Sequence, residues 1–299
     1  MRENNKSPEA SGRIGTACII GFDSAWTDRA PGAVCSLVIA KDGVVSFKPP
    51  RHAFFNEALA FIKAESSTCD TCVVALDQPT IVPNATGSRP VDRVAASLIS
   101  FIGGGVQPAN RSKKGMFDCG APIWRFLKDL RATEDPEFSR TAESGLFIIE
   151  VFPALALPAL DVKFYGRFKA PKYNPANRRK FRQRDWLDVL ETVARYAGAV
   201  PIEGIDVWTR EIKRETTEIR PPCKADQDRL DAVLCALIGY HWRAKQRQDS
   251  IMIGDLTCGY MIAPTDADTG SRLTAAAAER GVPVDGIVKM PFARLRSRV

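Results

Sequence analysis

The sequence predicts an α/β protein in which a mixed sheet, three antiparallel strands followed by parallel ones, is flanked by helices and interrupted by helical insertions. Two observations carry this. The chain opens with three short apolar runs, and the second and third are joined by Lys41-Asp42-Gly43, where Asp-Gly between apolar runs is a strong hairpin signal. A helical pattern from Phe54 to Ala64 then separates them from a fully apolar run, Cys72-Val-Val-Ala-Leu-Asp77, of strand length.

Taken in order, residues 1–12 are polar and end in Ser-Gly, the composition of a disordered leader. The first strand, Thr16 to Phe22, runs into Asp23-Ser-Ala-Trp-Thr, so a carboxylate stands at its C-terminal end. The second and third strands are expected over Val34–Ala40 and Val44–Phe47. The fourth again ends in an aspartate, Asp77, and Gln78-Pro79 stops it. Residues 80–145 form an insertion punctuated by Pro83, Pro90, Gly103-Gly-Gly105 and Pro108, with helical patterns near 91–102 and 121–132. The glycine run follows no strand and lacks the Lys-Ser/Thr of a phosphate loop, so a flexible turn is expected there. Leu146 to Pro153 is the next buried strand, with Glu150 near its end. A glutamate in such a run is costly unless paired; otherwise it belongs on the solvent face of an edge strand.

A second insertion spans 155–222, with a helix near 183–197 and a stop at Arg220-Pro-Pro-Cys. The helix from Lys224 to Trp242 follows, closing a main domain of residues 13–249. Residues 250–299 form an extension packed on the same domain, with a short hairpin over 251–262, a helix near 269–280 and a basic tail, Arg294 to Arg298.

Composition narrows the function. The chain has 299 residues, 45% of them apolar, enough to bury a sizeable core. No run approaches the ~20 apolar residues of a membrane span and the N-terminus lacks the apolar core of a secretory signal, which points to the cytoplasm. Of eight cysteines, Cys18, Cys35 and Cys235 lie in apolar runs and read as core, while Cys69-x-x-Cys72 has no second pair and only two histidines to complete a zinc site. The net charge of +7 suits a polyanion only if it is clustered. It is: between Arg167 and Arg184 stand eight basic residues (Arg167, Lys169, Lys172, Arg178, Arg179, Lys180, Arg182, Arg184) and no acidic one, interleaved with Phe168, Tyr173 and Phe181. Arginines clamp phosphates and aromatic rings stack on unpaired bases, so this reads as a nucleic-acid track, joined by Arg89, Arg93, Lys113 and Lys114 of the first insertion. A solvated charge run leading into a helix is the alternative.

The organising stretch is the helix from Lys224. Leu230, Val233, Leu234, Leu237 and His241 form one apolar face, and Ala232, Ala236 and Gly239 form a second that is thin enough to lie close on a sheet. Asp228 and Asp231, three apart, sit side by side and repel by up to about 4 kcal/mol at an effective dielectric near 20, a cost that a divalent cation would offset. Acidic residues also cap helices, so Asp226 or Asp228 can instead be the cap.

Four segments, Ile20-Gly-Phe-Asp-Ser-Ala-Trp26, Ala75-Leu-Asp-Gln-Pro79 with Pro83-Asn84 and Arg89 following, Glu150-Val-Phe-Pro153, and Asp228-Arg-Leu-Asp-Ala-Val-Leu-Cys-Ala236, resemble a family of bacterial and archaeal proteins of unknown function described as predicted ribonuclease H-like nucleases. The last segment also resembles the C-terminal helix of RuvC-type Holliday-junction resolvases. The resemblance implies a ribonuclease H-like core with an acidic metal site, its first-strand aspartate falling on Asp23, its fourth-strand acid on Asp77 and its helix pair on Asp228 and Asp231, with Glu150 at the Glu-x-x-Pro position.

These expectations combine into two-metal phosphodiester hydrolysis: Asp23 between two Mg²⁺ or Mn²⁺ ions about 4 Å apart, Asp77, Asp228 and Asp231 as further ligands, and Glu150 as an additional ligand or a supporting acid. Such chemistry needs no histidine base. The rivals are a nucleic-acid-binding or scaffold protein that keeps the fold without turnover, and a phosphotransferase, against which stand the absence of a second strand-end set and of a glycine-rich phosphate hairpin.

Overall fold

The apolar run Ala17–Asp23 forms strand β1, and all seven of its residues are buried. β1 can be apolar throughout because both of its faces are covered and both of its edges are paired. On one side it pairs antiparallel with β2 (Gly32–Ile39), which pairs antiparallel with β3 (Val45–Ala53). On the other side it pairs in parallel with β4 (Thr71–Leu76), and β4 with β5 (Gly145–Glu150). A two-residue strand, β6 (Ile202–Glu203), adds to β3, giving a six-stranded sheet in the order β5-β4-β1-β2-β3-β6. The computed structural model describes residues 16–200 and 202–287. The expected leader, 1–12, and basic tail, Arg294–Arg298, lie outside them.

The mixed sheet, antiparallel and then parallel, is therefore as expected. β3 extends past Phe47 through Pro49-Pro50, which a strand interior rejects. The prolines are tolerated because β6 pairs only with Val45 and Ser46, and the β2 ladder is irregular between Val34 and Ser36.

Alternation along the central strands sends side chains to two cores. Cys18, Ile20, Phe22, Val74 and Leu76 pack under α1 (Phe55–Ser66) and, within the first insertion, α3 (Pro122–Leu130). Ile19, Val73, Ala75 and Ile149 pack under α8 (Lys224–Ala244). The first insertion also supplies α2 (Pro90–Phe101) and α4 (Pro136–Thr141). The second supplies α5 (Pro153–Leu160), α6 (Gln183–Ala199) and α7 (Ile205–Arg214). Two of these helices are invisible to periodicity for separate reasons: α4 is six residues long, and α5 is apolar on every side with Pro158 inside it. α7 does carry the helical spacing, Ile205, Trp208, Thr209 and Ile212, and sequence reasoning missed it among its charges.

The hairpin β7 (Ser250–Asp255) and β8 (Gly259–Pro264) alternates between two cores. Met252, Tyr260 and Ile262 join the main core; Ile251, Ile253, Met261 and Ala263 join α2 and α9 (Ala267–Arg280) in a satellite core. Val151, just after β5, bridges to Ile262. No helix among the described residues is long and apolar enough to cross a membrane. The eight cysteines are free thiols, with Cys18, Cys35 and Cys235 in the core as expected.

α8 lies unusually close to the sheet. A Cβ on Gly21 of β1 would stand 2.0 Å from the Ala232 carbonyl oxygen and 2.4 Å from the Ala236 nitrogen, and one on Gly239 would stand 2.7 Å from Ile19 and 3.0 Å from Ala75. These obstacles at Gly21 are backbone, so they cannot swing away. Gly21→Ala is therefore expected to cost about 3 kcal/mol or more, the upper end for overpacking, read as a drop in the urea midpoint. The same substitution at Gly105, where nothing lies within 4 Å of an added Cβ, is expected to leave that midpoint unchanged.

Candidate functional site

Asp23 and Asp77 become neighbours through strand register. Phe22 pairs with Leu76 across the parallel β1–β4 ladder, and the Asp77 N–H donates to the Phe22 carbonyl at 2.9 Å, so the two aspartates follow side by side at the C-terminal end of the sheet. Period-two alternation sends them to the face of Ile19 and Ala75, the face that α8 covers. The close seat of α8 delivers Asp231, one residue before Ala232, to the same place.

The three carboxylates crowd one another. Burial is the main cause that holds Asp23 well above the usual carboxylate range, and the charges of Asp231 and Asp77 add to it. Asp77 is raised likewise, by burial and then by Asp231 and Glu150. Asp231 is pushed up to about 6 by burial; Lys224 and hydrogen bonds from Tyr173 and Gln227 hold it from going higher. The Tyr173 hydroxyl donates to Asp231 Oδ1 at 2.7 Å, and Gln227 Nε2 donates to Oδ2 at 2.8 Å. Asp228, the outer member of the helix pair, is half-buried and paired with Lys224 one turn earlier. The repulsion between Asp228 and Asp231 is thus offset from within the chain. Capping falls to Asp226, which accepts from the Cys223 N–H at 2.9 Å and is clamped by Arg220 and Arg229.

Two expectations are corrected by burial and register. Glu150 pairs with Leu76, one step short of Asp77, which places it on the opposite face of the sheet from Asp23 and Asp77. It is not on a solvent face either. At 1% exposure it takes both terminal nitrogens of Arg89 (Nη1 to Oε2 2.9 Å, Nη2 to Oε1 2.6 Å) and the Thr80 N–H at 3.2 Å. Glu150 therefore joins the site only through its charge on Asp77. Arg89, expected to touch nucleic acid, is 0% exposed; besides Glu150 it donates to Asp92 Oδ1 from Nε at 3.0 Å and from Nη2 at 2.9 Å. Its guanidinium is internal wiring.

The remaining basic residues stay at the surface. Arg93, Lys114, Arg167, Lys169, Arg178, Arg179, Lys180 and Arg182 are exposed, and Lys113 and Lys172 are half-buried. Lys172 and Lys180 line a cavity of about 490 Å³ that also has Asp77 and Asp231 in its wall, whereas Arg93, Lys113 and Lys114 lie away from it. Gly103–Gly105 edge the same cavity, in the turn that follows α2. Sequence reasoning missed Gln227, which shares a helix face with Asp231 at i, i+4, and Lys224, which does so with Asp228. It took Tyr173 for a stacking ring, but Tyr173 is buried and serves Asp231.

The donor set suits a hard divalent cation, since it consists of carboxylates with a nearby buried carbonyl, Gln227 Oε1, that has no hydrogen-bond partner. The side chains do not converge as ligands in this conformation: among the described residues no three of His, Cys, Asp and Glu gather in a way that could hold a metal ion. Tyr173, Gln227 and Lys224 occupy the carboxylates instead.

The sheet order and the flanking helices define an α/β protein consistent with a ribonuclease H-like arrangement, carrying buried acids at the C-terminal end of its central strands. The chain belongs to the family described as "Protein of unknown function (DUF429)", whose model matches residues 21–253 and so takes in Asp23, Asp77, Glu150, Asp228 and Asp231. No curated protein and no solved structure matches it.

Two outcomes follow from these charges. Asp231 binds its proton more tightly in the folded chain (about 6) than at its ordinary 3.8, so its contribution to stability is full below pH ~4 and is lost as the pH rises through about 6. Asp231→Asn should remove roughly 3 kcal/mol of that pH dependence, measured as the difference in urea stability between pH 4 and pH 8 against the unsubstituted protein. Arg89→Ala leaves Glu150 and Asp92 buried without their partner and should cost about 3–5 kcal/mol in the same assay.

Proposed function

We propose that this protein is a metal-dependent nuclease that hydrolyses phosphodiester bonds with Mg²⁺ or Mn²⁺, two ions being held by Asp23, Asp77, Asp228 and Asp231. The observation that carries this reading is the meeting of three acids at one place: strand register sets Asp23 beside Asp77, α8 brings Asp231 to them, Asp231 raises the pKa of both, and Lys224 is the cation opposing all three. A stable fold has no use for such an arrangement, and a divalent ion relieves it. These four carboxylates would hold the metal, and the chemistry it would supply there is a lowered pKa for a bound water and stabilisation of a leaving oxygen. The chain's own residues do the rest. Tyr173 and Gln227 orient Asp231, Lys224 holds Asp228, and Arg89 with Glu150 fixes the segment after β4 on which Asp77 stands. Lys172, Lys180 and the exposed bases of 167–182 supply positive charge for a phosphate backbone, so affinity should fall steeply with salt.

One observation favours a second reading, a nucleic-acid-binding protein with the same fold and no turnover: Asp228 and Asp231 are already satisfied by protein donors. A cleavage panel separates the two. Labelled duplex, RNA–DNA hybrid, branched and single-stranded substrates are incubated with Mg²⁺ or Mn²⁺. The expected result is metal-dependent cleavage of at least one, reduced on the order of a hundredfold or more in Asp23→Asn with substrate binding retained. Binding without metal-dependent cleavage, or cleavage that survives Asp23→Asn, selects the second reading.

A further inference from the structure

The cavity beside the acids has a shape and a chemistry of its own. Its volume of about 490 Å³ falls in the roughly 300–1,000 Å³ range of small-molecule sites, far too little for a continuous duplex. Asp77 and Asp231 line it, as do Lys180, Asn174 and Asn177 from the turns that precede α6. Phe181 and Leu157 give it an apolar side, and Phe181 packs against the main core, which holds its ring in place.

Gln227 adds a separate indication. It is 8% exposed and lines this cavity; its Nε2 is committed to Asp231 while its Oε1 has no partner. A buried acceptor left unpaired costs free energy that a ligand donor recovers. A nucleobase amine or a ribose hydroxyl is such a donor, and a phosphate on the same ligand meets Lys180 and the asparagine amides.

We propose that this cleft is a binding pocket for a single unstacked nucleotide, so that the substrate is a single strand or a strand end and not an intact duplex. The proposal rests on the nuclease reading for what happens at Asp77 and Asp231, but binding alone tests it. An enzyme that works on one nucleotide at a time has to take that nucleotide out of its stack, and an aromatic ring in the pocket repays part of the loss.

Gly105 offers a clean way to close the pocket. It stands on the cavity edge, its backbone is outside the left-handed region and nothing lies within 4 Å of an added Cβ, so Gly105→Phe adds a ring at the rim of the cleft without straining the fold. The probes are a fluorescein-labelled single-stranded octamer, the same octamer as a duplex, and adenosine 5′-monophosphate as competitor, with anisotropy read in EDTA and again in Ca²⁺. Expected are single-strand binding about tenfold tighter than duplex binding, and a loss of about tenfold on Gly105→Phe and on Lys180→Ala with Asn177→Ala, at an unchanged melting temperature. Competition by the monophosphate assigns the pocket to a free nucleotide as well as a strand; octamer binding without that competition assigns it to a strand, and both uphold the proposal. Equal binding of duplex and single strand, or Gly105→Phe binding the octamer like the unsubstituted chain, overturns it. The nuclease reading fails separately. A chain that binds as expected but cuts nothing loses that reading and keeps the pocket, while Gly105→Phe cutting single strands at the original rate loses the pocket and keeps the nuclease.

Discussion

The arrangement of the acids depends on one contact, the backbone of α8 against Gly21. Only a residue without a Cβ lets the Ala232 carbonyl approach β1 so closely. That approach fixes the depth and the rotation of the helix together, because Gly239 imposes the same demand two turns further on against Ile19 and Ala75. Asp231 precedes Ala232, so its carboxylate has little freedom: it faces the end of β1 and β4 where Asp23 and Asp77 emerge. The Cys35 thiol, 3.3 Å from the same Ala232 carbonyl, closes the gap from β2. The site is thus a by-product of packing, placed by small residues that carry no chemistry themselves.

Two clusters of buried charge lie on opposite faces of the same strand ends, and they are resolved differently. Glu150, Asp92 and Arg89 are closed: each carboxylate has a guanidinium partner, and backbone N–H groups of Thr80 and Ala109 take further lone pairs. That is what a buried charge needs if it is to be structural. Among the described residues no guanidinium pairs with Asp23, Asp77 or Asp231, and the cation whose charge opposes all three is Lys224, whose side chain is half in solvent and shared with Asp228. Asp231 has Tyr173 and Gln227 as donors in place of a cation, and acids perturbed in this way cluster at functional sites more than in structural ion pairs.

Much of this was legible beforehand, and the failures are physical. β1, β2, β4 and β5 were readable because their apolar runs are uninterrupted, and α8 because its two faces differ in size; the second half of β3, with its two prolines, and the two-residue β6 carry no such run. Asp23 and Asp77 were readable as strand-end acids, since the residue after a buried run in a parallel pair has to emerge at the sheet's edge. Glu150 looked equivalent and is not, because a shift of a single residue in register turns a side chain to the other face, and register between distant strands is not written in local pattern. Arg89 looked like a surface base because nothing in its neighbourhood announces a glutamate 61 residues away. The role of Tyr173 was hidden in the same manner: the segment's eight positive charges drew attention to its surface, while its one buried hydroxyl reaches the acids.

The satellite core at the C-terminal end bears on how the family itself is delimited. Residue 253, where the matched segment stops, lies inside β7, one strand short of a finished hairpin. Yet Tyr260, beyond that limit, is fully enclosed and meets the Glu150 N–H at 3.1 Å, and Gly259 leaves no room beside Arg89 for any larger residue. The evolutionary unit and the folding unit have different lengths here. In this chain the Arg89 cage is closed from outside the matched stretch, so the boundary at residue 253 cuts through a hydrogen-bonded interior.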